Sequence, residues 1–451
     1  MRRSKVISFC LPLSMVLALM TACGTGNNTG NNTGNDSGNG KTAEEKPKAE
    51  AKKDPYSMLI FAAGVSKEEF DKRFRGALEK KFPHITFNYQ TSGTGNNITD
   101  LVTRGEIPDL IRTDIPTLRT GYLDLNLGVD LTPYVTKYKY DLNRFNPVFI
   151  QEIKDYTRDG KLFGLPVPPF FPNVLYYNKD LFDKFGVPYP KDGMTWDEVY
   201  DLSKKMTRTD GGKQIRGFSA NLTGMLRDNP FSQAILDPEK DGVTDQDKWT
   251  KVFSNLKRFY DVQGNEYPKT AADDMNMFGK GEAALSANLH SVYLIIPPEI
   301  NWDIVSLPTM EGAPKRVSQR GPAYWSISET SKHKDEAFEV IMEMLKDEIQ
   351  MEDSKQGIPT TLNNKDIQNA LGSGHAIYKT KNMKAVSFYP PTDPTPKRKP
   401  GLVDVPLGSQ QSAVSTAFVD YVSGKADLNT ALRQLDEKLK TLVEEEKAKK
   451  K

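Results

Sequence analysis

From Asp54 onward short apolar runs alternate with amphipathic stretches, and that alternation sets the first expectation for the fold. Residues 57–62 (SMLIFA) are apolar enough for a buried strand, and a helical stretch follows over 68–82 until Pro83 breaks it. Residues 85–89 (ITFNY) alternate with the period of two of a half-buried strand. Residues 98–104 predict a short helix and 109–112 a third strand. Strand–helix–strand repetition of this kind predicts a parallel α/β sheet.

The second half repeats the pattern with interruptions. Residues 164–168 (GLPVP) predict an extended crossing, 173–178 a new strand, and 180–185 a short helix closed by Gly186 and Pro188. Thr195 and Glu198 form a capping box, after which Val199, Leu202 and Met206 keep helical spacing. Residues 283–289 and 293–296 read as buried segments, 303–308 (DIVSLP) as a second crossing, 323–328 as a strand and 334–349 as a helix. Leu432, Leu435, Leu439, Leu442 and Val443 line one face of a long helix capped near Asp427.

The first 53 residues obey different physics. Arg2, Arg3 and Lys5 precede an apolar run from Val6 to Met20 that Ser8, Pro12 and Ser14 interrupt. The run is short for a membrane span and suits the core of a secretory signal. It ends Met20-Thr21-Ala22-Cys23, which resembles a bacterial lipobox. Residues 1–22 are therefore expected to be a signal peptide, with Cys23 the lipidated first residue of the mature chain. Residues 24–53 are Gly/Asn-rich and then charged, without apolar periodicity. A coil of that length reaches roughly 30 Å, so residues 23–53 are expected to form a lipidated tether that holds the chain to the bilayer.

Composition narrows the classes. Cys10 and Cys23 are the two cysteines of the 451 residues, so the body after Cys23 carries no disulfide, thiol nucleophile or thiolate metal site. The formal charge of +2 drops by three to −1 once Arg2, Arg3 and Lys5 leave with the signal. A near-neutral body gives no electrostatic footprint for nucleic acid. Asp237, Glu239, Asp241, Gly242, Asp245 and Asp247 imitate part of a calcium loop, but Lys248 stands where the closing Glu belongs and Pro238 follows Asp237. This segment is read as a polar turn, and neither metal nor cofactor is expected.

Four segments in order, DGKLFGLP at 159–166, LYYNKDLF at 175–182, FGVP at 185–188 and TWDE at 195–198, resemble the family 1 extracellular solute-binding proteins, the group that includes maltose-binding protein. FGKGEAAL at 278–285, WDIVSLP at 302–308 and GKADLNTAL at 424–432 are similar to that family's later landmarks. The resemblance implies two α/β lobes in a periplasmic-binding-protein-like fold, with hinge crossings and ligand in the cleft between them. Lobe one would take 54–168 plus 309–362, and lobe two 169–308 plus 363–451. The implied protein is a monomer that captures a carbohydrate, an oligosaccharide by family frequency, for the permease of an ABC transporter.

In such a fold cleft residues come from strand ends and helix N-termini. The first lobe then offers Gly64 and Ser66 after the first strand, Ser92 and Thr94 after the second, and Asp114 at the end of the third. A carboxylate suits paired sugar hydroxyls, although Asp114 before Pro116 reads equally as a helix cap. Phe170, Phe171 and Asn173 follow the first crossing, the two rings serving either as sugar platform or as core. Asn221 and Arg227, then Asn288 and His290, are the candidates of the second lobe. Many family members carry a stacking Trp near His290, and this chain does not. Trp325, beside Tyr324, is either the substitute platform or core, and Gln410 belongs to the last cleft segment. Two other functions stay open: a surface-anchored glycoside hydrolase, whose carboxylates need not be close in sequence, and a ligand-sensing partner of a membrane receptor. The chain shows no GxSxG, HExxH or phosphate loop, and it has four His.

Overall fold

The computed structural model describes residues 53–449 except 157–158, 317–318, 394 and 396–397. The expected signal peptide, Cys23 and the tether to Lys52 lie outside the described residues.

Two sheets organise the body. In the first, β1 (Tyr56–Ala62) sits between β2 (Ile85–Thr91) and β3 (Leu110–Asp114), all parallel. These strands enter at the predicted places because their inward positions are apolar: Met58, Ile60, Phe87, Leu110 and Ile111 are buried. β4 (Leu165–Val167) follows the third strand in sequence. In the second sheet β5 (Phe171–Asn178) lies in the middle, and the small hairpin of β6 (Arg208–Asp210) and β7 (Lys213–Ile215) stands apart from it. β8 (Ser219–Ala220), β9 (Leu285–Leu289) and β10 (Trp302–Ser306) complete that sheet in the order β10-β5-β9-β8. The chain then returns through β11 (Gln319–Arg320), which pairs with the start of β5, into β12 (Ala323–Ile327). β12 joins the first sheet antiparallel to both β3 and β4.

Each sheet has its own core. Helices from Lys67–Phe70 to Pro147–Tyr156, with Lys334–Met344, pack Phe70, Phe74, Phe145, Ile153, Phe338 and Ile341 against the first sheet. Trp196, Phe218, Trp249, Phe253, Phe259 and Phe418 build the second core. A third cluster around Tyr176, Tyr293, Trp302 and Tyr378 covers the other face of the second sheet. Full burial of such side chains contributes about 1.5–3 kcal/mol each, so two independent cores give two bodies joined by few strands.

The first join runs from Val167 to Phe171, through a cis Pro168-Pro169 peptide. The second runs from Ser306 to Ala323. Arg73 anchors the first crossing: it forms a bidentate pair with Asp353 at 3.0 and 2.8 Å and donates to the Pro168 carbonyl at 3.2 Å. Across the lobes, Arg119 reaches Glu446 at 2.7 Å and the Asp404 carbonyl at 3.2 Å.

Three local expectations change. The helix foreseen over 334–349 is two, Lys334–Met344 and Asp347–Lys355, because Lys346 adopts an extended backbone with ψ 150°. Residues 293–296 are not a buried run: Tyr293 is buried, but a tight helical turn at His290–Leu294 leaves Leu294 and Ile295 on the surface, 54% and 77% exposed. The second crossing starts at Ser306, late in the segment 303–308, since Trp302–Ser306 is a full strand paired with β5.

Candidate functional site

The topology places one edge of each sheet toward the other. In the first sheet the chain leaves β1 for β2 and returns to β3 on the opposite side, so the switch point lies outside the carboxyl ends of β1 and β3. Open α/β sheets hold ligands at such points. Gly64, Ser66 and Asp114 lie there, and Ser92 and Thr94 follow β2. Gly64 takes φ +73°, a left-handed turn that favours glycine. Arg112 donates to the Ala63 carbonyl at 2.8 Å and ties this loop to β3.

Most polar groups on this edge serve the backbone. Ser66 Oγ accepts the Glu69 amide at 3.1 Å, capping the helix Lys67–Phe70. The Asp114 carboxylate accepts the Thr117 amide at 3.1 Å and caps Ile115–Leu118, with Pro116 in its first turn. Ser92 and Thr94 are exposed in the turn closed between Gly93 and Asn96. Trp325 is 1% exposed within the first core, and no hydrogen-bond partner meets its Nε1.

The facing edge of the second sheet is different. Asn173 at the start of β5 is 2% exposed; its Nδ2 donates to Asp228 at 3.2 Å and its Oδ1 has no partner. Arg227 lies beside Asp228 and donates to it through Nε at 2.7 Å and through a second guanidinium nitrogen, so Asp228 is shared by Arg227 and Asn173. Asn221 caps the helix Leu222–Arg227 by accepting the Gly224 amide at 3.0 Å. On the other face of the sheet, Asn288 is 1% exposed, and its Nδ2 has no partner while Oδ1 accepts the Leu289 amide. His290 is fully buried, and burial pushes its pKa down to about 3, so the ring is neutral. Phe170 bridges the lobes as an aromatic step, 5.6 Å from the Phe149 ring and 6.4 Å from His290. Phe171 pairs through its backbone with Arg320; its side chain lies outside the described residues. Gln410 is inside the helix Leu407–Val422, where it accepts the Leu236 amide and donates to the Val405 carbonyl, both ends of its amide tying loops.

A shallow depression opens beside Asn173, bounded by Pro230, Ser306, Pro308, Arg316 and Tyr389. A second adjoins it past Pro230, Leu307 and Met310 and reaches Asp228 and Asn255. Together they form a groove at the cleft edge of the second lobe. Among the sequence candidates Asn173 lines this groove; Asn221 meets Asn173 near Gly224, and Arg227 shares Asp228 with it. Asn288 and His290 flank them across the sheet, while Trp325 and Gln410 face packing partners of their own lobe.

Sequence reading passed over Glu152, Asp228 and Gly321. The helix Pro147–Tyr156 holds Phe149 and Ile153 buried, and Glu152 stands on the flank of that buried face. An acid at an apolar helix position is the signal that would have found it. The segment 237–248 binds a cation of its own: Arg398 donates to the Asp237 and Lys240 carbonyls and pairs with Asp241. Among the described residues no group of three or more His, Cys, Asp or Glu is arranged to hold a metal.

The family described as bacterial extracellular solute-binding protein matches residues 63–351. The chain is 26% identical over 202 residues to the sn-glycerol-3-phosphate-binding periplasmic protein UgpB of Brucella abortus, covering 42% of this chain and 45% of that one. The chain thus spans about half the length of the curated relatives it matches. In fold it is similar to the ABC substrate-binding protein Lmo0181 of Listeria monocytogenes in complex with cycloalternan, with TM-score 0.68, 19% identity and coverage of 86% and 99%. It is also similar to the sugar-binding protein MalE of Xanthomonas citri, with TM-score 0.63, 18% identity and coverage of 87% and 98%. With the two-lobed fold and the paired edges in place, the chain belongs to the bacterial extracellular solute-binding protein family, and its place is outside the cytoplasm.

Proposed function

We propose that this protein captures a carbohydrate in the interlobe cleft and hands it to an ABC importer, held to the outer face of the membrane by a lipidated Cys23. The observation that carries the reading is the pair of buried amides with unused capacity, Asn173 Oδ1 and Asn288 Nδ2, at the cleft edge of the second lobe. A buried polar group without a partner costs about 1–3 kcal/mol, which a ligand rich in hydroxyls recovers on binding. Phe170 adds an aromatic face beside His290. Cycloalternan and sugar as the ligands of structural relatives support this class.

The relatives named for sn-glycerol 3-phosphate favour a second, anionic ligand. Against it, Arg227 is already neutralised by Asp228. Closure of two lobes around the solute transmits occupancy to the importer, provided the ligand binds the closed form better than the open one.

A melting-temperature panel separates the readings. Cycloalternan or maltotriose at 100 times Kd should stabilise the fold by about 2.7 kcal/mol, with no shift from sn-glycerol 3-phosphate. A shift with the phosphate alone would replace the carbohydrate assignment, and turnover of either sugar would replace capture by hydrolysis. For the anchor, a Cys23→Ala chain should lose incorporation of labelled palmitate and leave the membrane fraction; unchanged incorporation would remove the lipid from the account.

A further inference from the structure

Glu152 stands in an unusual setting. Its Oε2 accepts the Tyr324 hydroxyl at 2.7 Å, and that hydroxyl also contacts the Phe149 carbonyl at 3.0 Å. Among the described residues no Lys or Arg pairs with it. The residue is partly exposed. Its helix turns toward the hinge, because Phe149 one turn earlier meets Phe170 of the first crossing.

The second crossing is shaped around this carboxyl. A Cβ at Gly321 would lie 1.9 Å from Glu152 Oε2 and 2.7 Å from Oε1, so a side chain there would expel the acid. Gly321 of the second crossing and the Phe149 contact with Phe170 of the first place the carboxyl beside both crossings, and Asp228 of the second lobe acts on it electrostatically. Among the described residues the titratable and charged groups that act on it are the Tyr324 phenol from β12 and Asp228, itself held by Arg227, from the end of the helix Leu222–Arg227.

Desolvation pushes the Glu152 pKa up to about 7, with Asp228 adding to the rise and Tyr324 opposing it. Among the described residues Tyr324 is the side-chain donor to this carboxylate. A sugar hydroxyl supplies another, and a carboxylate accepts hydroxyls in short, charge-assisted bonds.

We propose that Glu152 is a specificity-determining residue of the cleft, accepting a hydroxyl of the captured carbohydrate through Oε1 while Tyr324 holds Oε2. This assignment rests on the carbohydrate reading above. It requires that binding favour the ionised acid, so a proton leaves as the sugar enters and affinity rises with pH.

Calorimetric titration of the full chain with cycloalternan and with maltotriose, at pH 6 and pH 8 in buffers of different ionisation heat, tests it. The wild type should bind about tenfold more weakly at pH 6 than at pH 8 and release a fraction of a proton per sugar near pH 7. The isosteric Glu152→Gln should bind about tenfold more weakly than the wild type at pH 8 and lose the pH dependence. Glu152→Gln binding as tightly as the wild type, or wild-type binding flat in pH with no proton released, would overturn the assignment and leave carbohydrate capture standing. Failure of both sugars to bind the wild type would overturn the carbohydrate reading and this assignment with it.

Discussion

The two cleft edges use their polar residues in opposite ways. On the first lobe Ser66 and Asp114 accept helix amides, and Asp114 also accepts the Thr117 hydroxyl. On the second lobe Asn173 and Asn288 are buried with one amide atom each left unpaired, which the backbone does not explain. Polar residues at strand ends therefore carry little information until their partners are counted. A buried polar atom left without a protein partner is one that a ligand can satisfy.

The largest expected effect tests the frame on which both edges hang. Arg73 and Asp353, with side chains 5% and 6% exposed, hold the first lobe to the Pro168 carbonyl. Asp353→Ala should cost about 3 kcal/mol by removing the bidentate partner of a buried arginine, which keeps Glu69 at 2.8 Å as its remaining acid. In calorimetry this should appear as an earlier melting step of the first lobe, with the second lobe's transition less affected.

The comparison itself breaks or holds on a pair of variants. Asn173→Ala should weaken sugar binding by about 1–3 kcal/mol, with little loss of melting temperature, since it removes an unsatisfied acceptor as well as a bond. Asp114→Ala should do the reverse, costing about 1 kcal/mol of stability through the lost cap and changing affinity less than Asn173→Ala does. Titration and melting of both variants decide it; a larger affinity loss at Asp114 would move the binding edge to the first lobe.

A pH effect sharpens the picture of the second edge. Burial lowers His290 to about 3, against about 6.5 in the unfolded chain. Between those values the unfolded state holds the extra proton, so this contribution is complete above about pH 6.5 and is lost as pH falls. The wild type should lose up to about 1.4 kcal/mol per pH unit relative to His290→Phe between pH 6.5 and 5, read from urea midpoints. A parallel response of the two proteins would place a charged ring in the native state.

The smallest effect belongs to Trp325. Buried in the first core, it should tolerate Trp325→Phe with unchanged sugar affinity, and loss of binding would restore it as a stacking platform.

Local chemistry was legible in the sequence wherever one segment contains both partners. The Thr195–Glu198 capping box, the Asp427 cap and the Leu432–Leu435–Leu439–Val443 face all need neighbours three or four residues away, and all are present. The parallel strands were readable because their inward positions are apolar in runs. The site was less legible, because its partners are distant. Glu152 gains meaning from Tyr324, 172 residues on, and from Gly321. The acidic turn at 237–248 looks like an ion loop until Arg398, 157 residues past Asp241, fills it. Gln410 read as a cleft residue because its helix was not foreseen, and a buried helical position commits both ends of its amide to loops.

The central claim is that one ligand is gripped by both edges at once. Hydrogen exchange with and without cycloalternan measures this segment by segment. Saturating sugar should slow exchange together at 63–66 and 112–117 on the first lobe and at 173–175, 221–228 and 288–291 on the second. Protection confined to one lobe, or none at a sugar concentration that raises the melting temperature, would contradict capture in the interlobe cleft.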